Sequence, residues 1–360
     1  MRVASQCQSR SASVAAEVFR PLPYHATHDL SLQMLRIAKS LPLLLLLASW
    51  ASAAPAVVSA PLSTMKASAS SSSDESELAP SPCKTYWTYT GSKADCRAAG
   101  LTDLPASLDP AAQQLDLSDN NLTALRNGSL AALGLSALEL LDAGANALAA
   151  VEPDAFRGLR LLRTVRLSDN RLRALHADTF AHNPRLQELF LDGNPLAALP
   201  ADGAWLRAPL LLVLDASRCG LAALPRRALS ALPHLRALYL ARNRLRALPS
   251  APGAFAASSA LLFLDLSANR LRDLPAGAFS GLGALRRLDL QDNELLAPPA
   301  AAFAPLRSLA RLELGGNPLA CDCALYPLRS WATARNLSVR AHCAATGAAW
   351  TLLDNLDCPA

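Results

Sequence analysis

From Leu115 onward, leucines recur in the frame L-x-x-L-x-L-x-x-N-x-L. The frame's polar slot falls at Asn120, Asn146, Asn170, Asn194, Cys219, Asn243, Asn269, Asn293 and Asn317. Successive slots are 26, 24, 24, 25, 24, 26, 24 and 24 residues apart, so nine units share nearly one length. Such a period describes stacked copies of one small unit, none of which can bury its apolar face alone. Inside a unit the short-range leucines, such as Leu189 and Leu191, alternate as a strand with one buried face requires. The asparagine carries both donors and an acceptor. It can satisfy backbone groups where each coil turns away from its strand, one asparagine stacking on the next.

About ten residues past each slot stands a bulky apolar group: Phe156, Phe180, Trp205, Leu229, Phe255, Phe279 and Phe303. These groups are placed to fill the half of each coil that the strand leucines cannot reach. The pattern predicts an α/β chain wound into a right-handed, curved solenoid with a parallel sheet on its concave face. Its ends must be capped.

The 24-residue unit resembles the leucine-rich repeat of extracellular animal proteins of the Toll ectodomain, Slit, chondroadherin and acid-labile-subunit type, over about residues 83–358. The Gly-x-Ile-Pro element of plant-type repeats is missing, and ribonuclease-inhibitor repeats are longer and cytosolic. The resemblance implies a leucine-rich-repeat solenoid, a curved horseshoe with disulfide-bonded end caps. It also implies that cysteine is the common substitute in the asparagine slot, where Cys219 sits. Cys83 and Cys96, followed by Gly100-Leu-Thr-Asp-Leu104-Pro105, resemble the family's N-terminal cap, with two cysteines where the fuller form has four. A single Cys83–Cys96 bridge is expected. Cys321-Asp-Cys323, Trp331, Cys343 and Cys358 resemble the C-terminal cap, and the resemblance implies the pairs Cys321–Cys343 and Cys323–Cys358. Four cysteines allow three pairings, so spacing alone does not choose among them. A zinc site is disfavoured by the missing C-x-x-C spacing and by a secretory context. Cys219 then reads as a buried structural thiol, with a reactive thiol or an intermolecular bridge as the rival.

The N-terminal region changes the picture of where the chain works. Met34-Leu-Arg36-Ile-Ala-Lys39 is a short basic run, Leu41 to Ala48 is apolar, and Ala51-Ser-Ala53 is a small-residue cleavage site. That order is a secretory signal peptide, with an uncleaved anchor as the alternative. Met34 or Met1 could serve as the start. The expected organisation is residues 1–53 as extension and signal (the signal itself being 34–53), then 54–82 as a Ser/Ala-rich linker. A cap at 83–110, nine repeats over 111–317 and a cysteine-rich cap over 318–360 follow. In the sequence as given no apolar tail for a membrane span or lipid anchor follows Cys358, an ending expected either of a compact secreted protein or of a truncated chain. The formal charge is +5, but residues 1–53 hold five basic and two acidic groups, and removing them leaves 29 against 27, a net of +2. A nucleic-acid-seeking surface is not indicated. Sequons stand at Asn121-Leu-Thr123, Asn127-Gly-Ser129 and Asn336-Leu-Ser338, with Asn127 the best placed for a glycan.

Catalytic signatures are missing: no G-x-S-x-G, no H-E-x-x-H, no phosphate loop and no EF-hand pattern. His176, His182, His234 and His342 are scattered over different coils, so neither an enzyme, a metal site nor a cofactor is expected. The residues four before each slot should face solvent on the sheet: Asp116, Asp142, Arg166, Phe190, Asp215, Tyr239, Asp265, Asp289 and Glu313. Glu188, Phe263, Arg287 and Arg311 flank them. Phe190, Tyr239 and Phe263, with Glu188, Asp215 and Asp265 around them, form the expected partner-binding cluster, although Leu-Asp-Leu-Ser is also an ordinary strand of the family. A second feature is Arg244, Arg246, Arg270 and Arg272 on adjacent rungs, with Arg171 and Arg173 further off. It reads either as a sulfated-glycosaminoglycan ladder or as a solvated flank, and the near-neutral balance favours the flank. The expected function is secreted protein recognition in the extracellular matrix or at cell surfaces. The alternatives are the ectodomain of a membrane receptor or adhesion protein and an inhibitor of an extracellular enzyme.

Overall fold

The computed structural model describes residues 82–250 and 253–351. The expected signal at 34–53, nearly all of the linker at 54–82, and Cys358 lie outside the described residues.

The polypeptide begins with a hairpin, β1 (Lys84–Thr88) and β2 (Gly91–Asp95), paired antiparallel. β2 then pairs in parallel with β3 (Gln114–Asp116), the strand of the first repeat. After it, β4 (Ala124–Leu125) pairs with β6 (Ala150–Val151) in a small second sheet, with β5 (Leu140–Asp142) between them in sequence. Each later repeat supplies one three-residue strand: β7 (Thr164–Arg166), β8 (Glu188–Phe190), β9 (Val213–Asp215), β10 (Ala237–Tyr239), β11 (Phe263–Asp265), β12 (Arg287–Asp289) and β13 (Arg311–Glu313). β14 (Ser338–Arg340), from the C-terminal region, closes a 12-stranded sheet ordered β1-β2-β3-β5-β7-β8-β9-β10-β11-β12-β13-β14. From β2 to β14 every pairing is parallel and in register, so the same repeat position of every rung stands in one column. The parallel-sheet solenoid expected from the leucine frame is the observed fold.

The middle residue of each repeat strand is buried while its neighbours face outward, from Leu115 through Leu312. Phe156, Phe180, Trp205, Leu229, Phe255, Phe279 and Phe303 fill the opposite wall of the coil, each nearly inaccessible to water. Phe156 stacks on Phe180 with centroids 5.1 Å apart, and a second run of rings passes through Phe279, Phe303 and Trp331 at 5.8 and 5.9 Å. Within each run, ring contacts on consecutive rungs add dispersion to apolar burial.

The asparagine column ties rung to rung. Asn243 donates its Nδ2 hydrogens to the carbonyls of Ala216 and Leu240 at 2.9 and 3.0 Å, and its Oδ1 accepts the N–H groups of Cys219 and Leu221. The same donor pair recurs at Asn120, Asn146, Asn170, Asn194, Asn269, Asn293 and Asn317, where each Oδ1 accepts a single N–H of the preceding coil. All of these side chains are buried except Asn146, which is half-buried. At Cys219 the column changes. The thiol reaches the carbonyls of Leu191 and Ser217 only at 3.4 Å and supplies no amide oxygen. The chain compensates: Leu196 N–H turns to the Asn194 carbonyl and Ala197 N–H to that of Cys219. The residue before every slot is left-handed, including Ala145, Arg218, Arg242 and Ala268, with φ between 50° and 57°. This costs a non-glycine residue roughly 1–2 kcal/mol, so the ladder must hold it there.

Cys83 is bonded to Cys96, and Cys321 to Cys343. Cys323 is also disulfide-bonded, and its expected partner Cys358 lies outside the described residues.

Replacing Asn243 by Ala strips the acceptor from Cys219 and Leu221, and it should lower unfolding stability by about 2–4 kcal/mol. Cys219→Ala gives up only weak thiol bonds and should cost about 1 kcal/mol. Urea melts showing equal losses would refute the unequal roles of the two slots. Burial pushes the Cys219 thiol up to about 12, so it should resist iodoacetamide at pH 8 in the folded protein and react once the chain is denatured.

Candidate protein-binding face

The register fixes the neighbours on the open face of the sheet. The column through Asp116, Asp142, Arg166, Phe190, Asp215, Tyr239, Asp265, Asp289 and Glu313 is continuous, each residue paired with the next. Adjacent strands in a sheet stand about 4.8 Å apart. The cluster of Phe190, Tyr239 and Phe263 with Glu188, Asp215 and Asp265 therefore lies on four consecutive strands, β8 to β11. Tyr239 and Phe263 touch, ring centroids 5.0 Å apart and tilted by 45°. Two arginines bracket the aromatics: Arg166 lies over Phe190 at 5.8 Å, and Arg287 over Phe263 at 5.4 Å. Glu188 accepts a hydrogen bond from the Thr164 hydroxyl at 3.3 Å.

The expectation that the column faces solvent needs correction at one end. The six cluster residues are half-buried, but Asp289 is 6% exposed and Glu313 1%. Glu313 lies 3.9 Å from both Arg311 and Arg340, and its carboxylate oxygens have no hydrogen-bond partner. Parallel stacking of three-residue strands packs like positions so closely that a side chain on this face is shielded by its own column.

The aspartates of the column have a local task. Asp116, Asp142, Asp215, Asp265 and Asp289 each accept the N–H two residues on, at 2.9–3.1 Å, where the strand turns away from the sheet. This is the turn chemistry for which aspartate is suited. Arg166, Phe190, Tyr239 and Glu313 stand at the same position and make no such bond. At two of those four rungs an aromatic ring takes the acceptor's place on the open face.

The crowding shifts proton affinities. Burial, then the negative charge of Asp192, pushes the Asp215 carboxyl up to about 7 against the pull of Ser217, with Asp265 adding to the rise. Asp265 is raised by burial and by Asp289 despite two hydrogen bonds from Ser267. Burial drives the Tyr239 phenol up to about 12, helped by Asp215 and Asp265.

The other sequence features lie away from this face. Arg171, Arg173, Arg244, Arg246, Arg270 and Arg272 are all exposed, in the turns beyond the asparagine column. Arg272 is engaged by Glu294 at 2.6 Å. Asn121, Asn127 and Asn336 are exposed, and Asn127 Oδ1 accepts the N–H of Asp154 on the next rung. Among the described residues no group of three or more His, Cys, Asp or Glu side chains could hold a metal ion. Nor is any helix there long and apolar enough to cross a membrane.

A profile of the leucine rich repeat family matches residues 136–196, 209–271 and 260–319. The fold is a leucine-rich-repeat solenoid, a scaffold for binding proteins. Among solved structures it is similar to that of human 5T4, described as Wnt-activated inhibitory factor 1 and trophoblast glycoprotein. The TM-score is 0.55 and the identity 26%, covering 79% of this chain and 98% of that one. No curated protein matches the sequence.

The raised Asp215 has a consequence for this solenoid. Its pKa is higher folded than unfolded, so between about pH 4 and 7 the native state holds a proton that the unfolded state has released. Stability from this group is present at low pH and is lost as pH rises through 7. Asp215→Asn retains an acceptor for Ser217 and should raise stability at pH 8 by at least about 1 kcal/mol, and by clearly less at pH 5, which lies near the lower end of that window. Thermal melts that differ equally at both values would contradict the assignment.

Proposed function

We propose that the chain is a secreted or cell-surface recognition protein that binds an extracellular protein through the open face of its sheet, centred on Phe190, Tyr239 and Phe263. One observation carries this reading: two rungs of the aspartate column give up their turn acceptor for aromatic rings, and a third ring in the next column packs against one of them. Aromatic groups framed by arginines and carboxylates are the composition of a binding hot spot. The cluster is carried on strands fixed by the ladder, so little conformational entropy is lost when a partner docks.

Disulfides at both ends of the solenoid support an oxidising destination. The signal-like segment at 34–53 and the likeness to a protein titled a glycoprotein point the same way. The carboxylates of the face favour a partner with a basic contact surface.

Expression from Met1 with a C-terminal tag tests the destination: tagged protein should reach the medium or matrix with its N-terminus near Ala54. Retention on cells with residues 34–53 attached would replace secretion by anchored display. Once a partner is captured with the soluble chain, the triple substitution Phe190→Ser, Tyr239→Ser and Phe263→Ser should weaken binding at least ~30-fold, with secretion unchanged. Undiminished affinity in that variant would move the binding site elsewhere.

A further inference from the structure

The two edges of the sheet are built differently. At the C-terminal edge β14 is three residues long, ends in the exposed Arg340, and follows the sequon at Asn336. Brevity and charge of that kind protect an edge from pairing with another chain. At the N-terminal edge β1 is five residues long, with the sequence Lys-Thr-Tyr-Trp-Thr. Its single charge is at its first position and it contains no proline. Trp87 is 78% exposed, and Tyr89 in the following turn is fully so.

The backbone of β1 is aimed outward at two defined residues. The hairpin turns over Tyr89 and Thr90, and Thr88 faces Gly91 across it. The Ser92 carbonyl accepts a hydrogen bond from Gln113, on the β3 side. Ser92 therefore does not exchange backbone bonds with its facing residue Trp87. By the alternation of an antiparallel ladder, the same holds for Ala94 and Thr85. The N–H and C=O groups of Thr85 and Trp87 thus point away from β2, at an edge that no other described strand covers.

These two positions are symmetric about Tyr86, which makes the edge complementary to itself. We propose that β1 is a self-association strand: it pairs antiparallel with β1 of a second copy of this chain, about a two-fold axis at Tyr86. Thr85 of each copy then exchanges backbone bonds with Trp87 of the other, and the two Tyr86 residues face one another in the close, non-bonded pair. Lys84 falls opposite Thr88, so no like charges meet. An isologous contact of this kind closes on itself as a dimer. It joins two 12-stranded sheets with their open faces on the same side, presenting two copies of the Phe190–Tyr239–Phe263 cluster to a partner. Bivalent display strengthens attachment to a clustered or matrix-fixed partner without any new contact.

Sedimentation velocity of the secreted full-length chain over roughly 1–100 µM, a range in which weak protein pairs associate, tests the proposal. A concentration-dependent doubling of mass is expected. The double substitution Thr85→Lys with Trp87→Lys sets like charges opposite one another at both bonded positions and should leave a monomer with an unchanged melting temperature. Tyr86→Cys should give a covalent dimer on non-reducing gels, whereas Tyr89→Cys in the turn should not. The proposal is overturned if the natural chain stays monomeric throughout, or if association survives the double substitution. If that variant is not secreted, failure of Tyr86→Cys to cross-link overturns it alone.

Discussion

A single side-chain amide, repeated along an axis, is the interaction on which the molecule rests. A coil of about 24 residues has too little core to stand alone, and where it leaves its strand it exposes carbonyls and N–H groups that would be costly to bury. The asparagine column meets that need by donating to carbonyls of its own rung and the one before, and by accepting an N–H from the preceding coil. Each rung is thereby fixed to its neighbour at one height and rotation, and the parallel register of the sheet follows. The column also sustains left-handed backbone at alanine and arginine, conformations these residues would not adopt unaided. Cys219 shows the limit of the device: without an amide oxygen in the slot, two N–H groups of the preceding coil find backbone carbonyls instead.

The open face is a by-product of this stacking before it is a binding surface. In-register pairing turns any repeated residue into a column of near neighbours, so aspartates chosen for a turn become a file of carboxylates. The protein tempers their repulsion by interleaving Arg166, Phe190 and Tyr239 in the column and placing Arg287 and Arg311 beside it. Burial still lifts Asp215 and Asp265 above the ordinary carboxylate range. Function enters where the turn requirement has been relaxed, since a rung that gives up its acceptor is free to carry a ring.

The two ends of the solenoid meet different demands. Both must cover an open core, and both do so with a strand added to the sheet and a disulfide beside it. The C-terminal end adds the helix α1 (Tyr326–Thr333), which sets Trp331 against Phe303 and so ends the second run of rings. The N-terminal hairpin ends the sheet without ending its capacity to pair, because its outer strand keeps two residues' backbone groups turned outward.

Sequence alone determined the architecture, because an architecture of repeats is written as periodicity: the leucine frame dictated strands, the slot residues dictated the ladder, and the bulky group ten residues on dictated the opposite wall. Each of those signals is local and recurs, so one unit explains the rest. The polar face was legible as a list of residues but not as an environment. Nothing in the sequence distinguishes the half-buried Asp215 from the nearly inaccessible Glu313, since exposure depends on what stands beside each column. The left-handed residue before every slot was equally hidden, betrayed only by Gly193 and Gly316, because elsewhere the ladder rather than the residue's own preference imposes it. The outward backbone of Thr85 and Trp87 was invisible for the same reason: which side of a strand lies open is settled only when the sheet has been assembled.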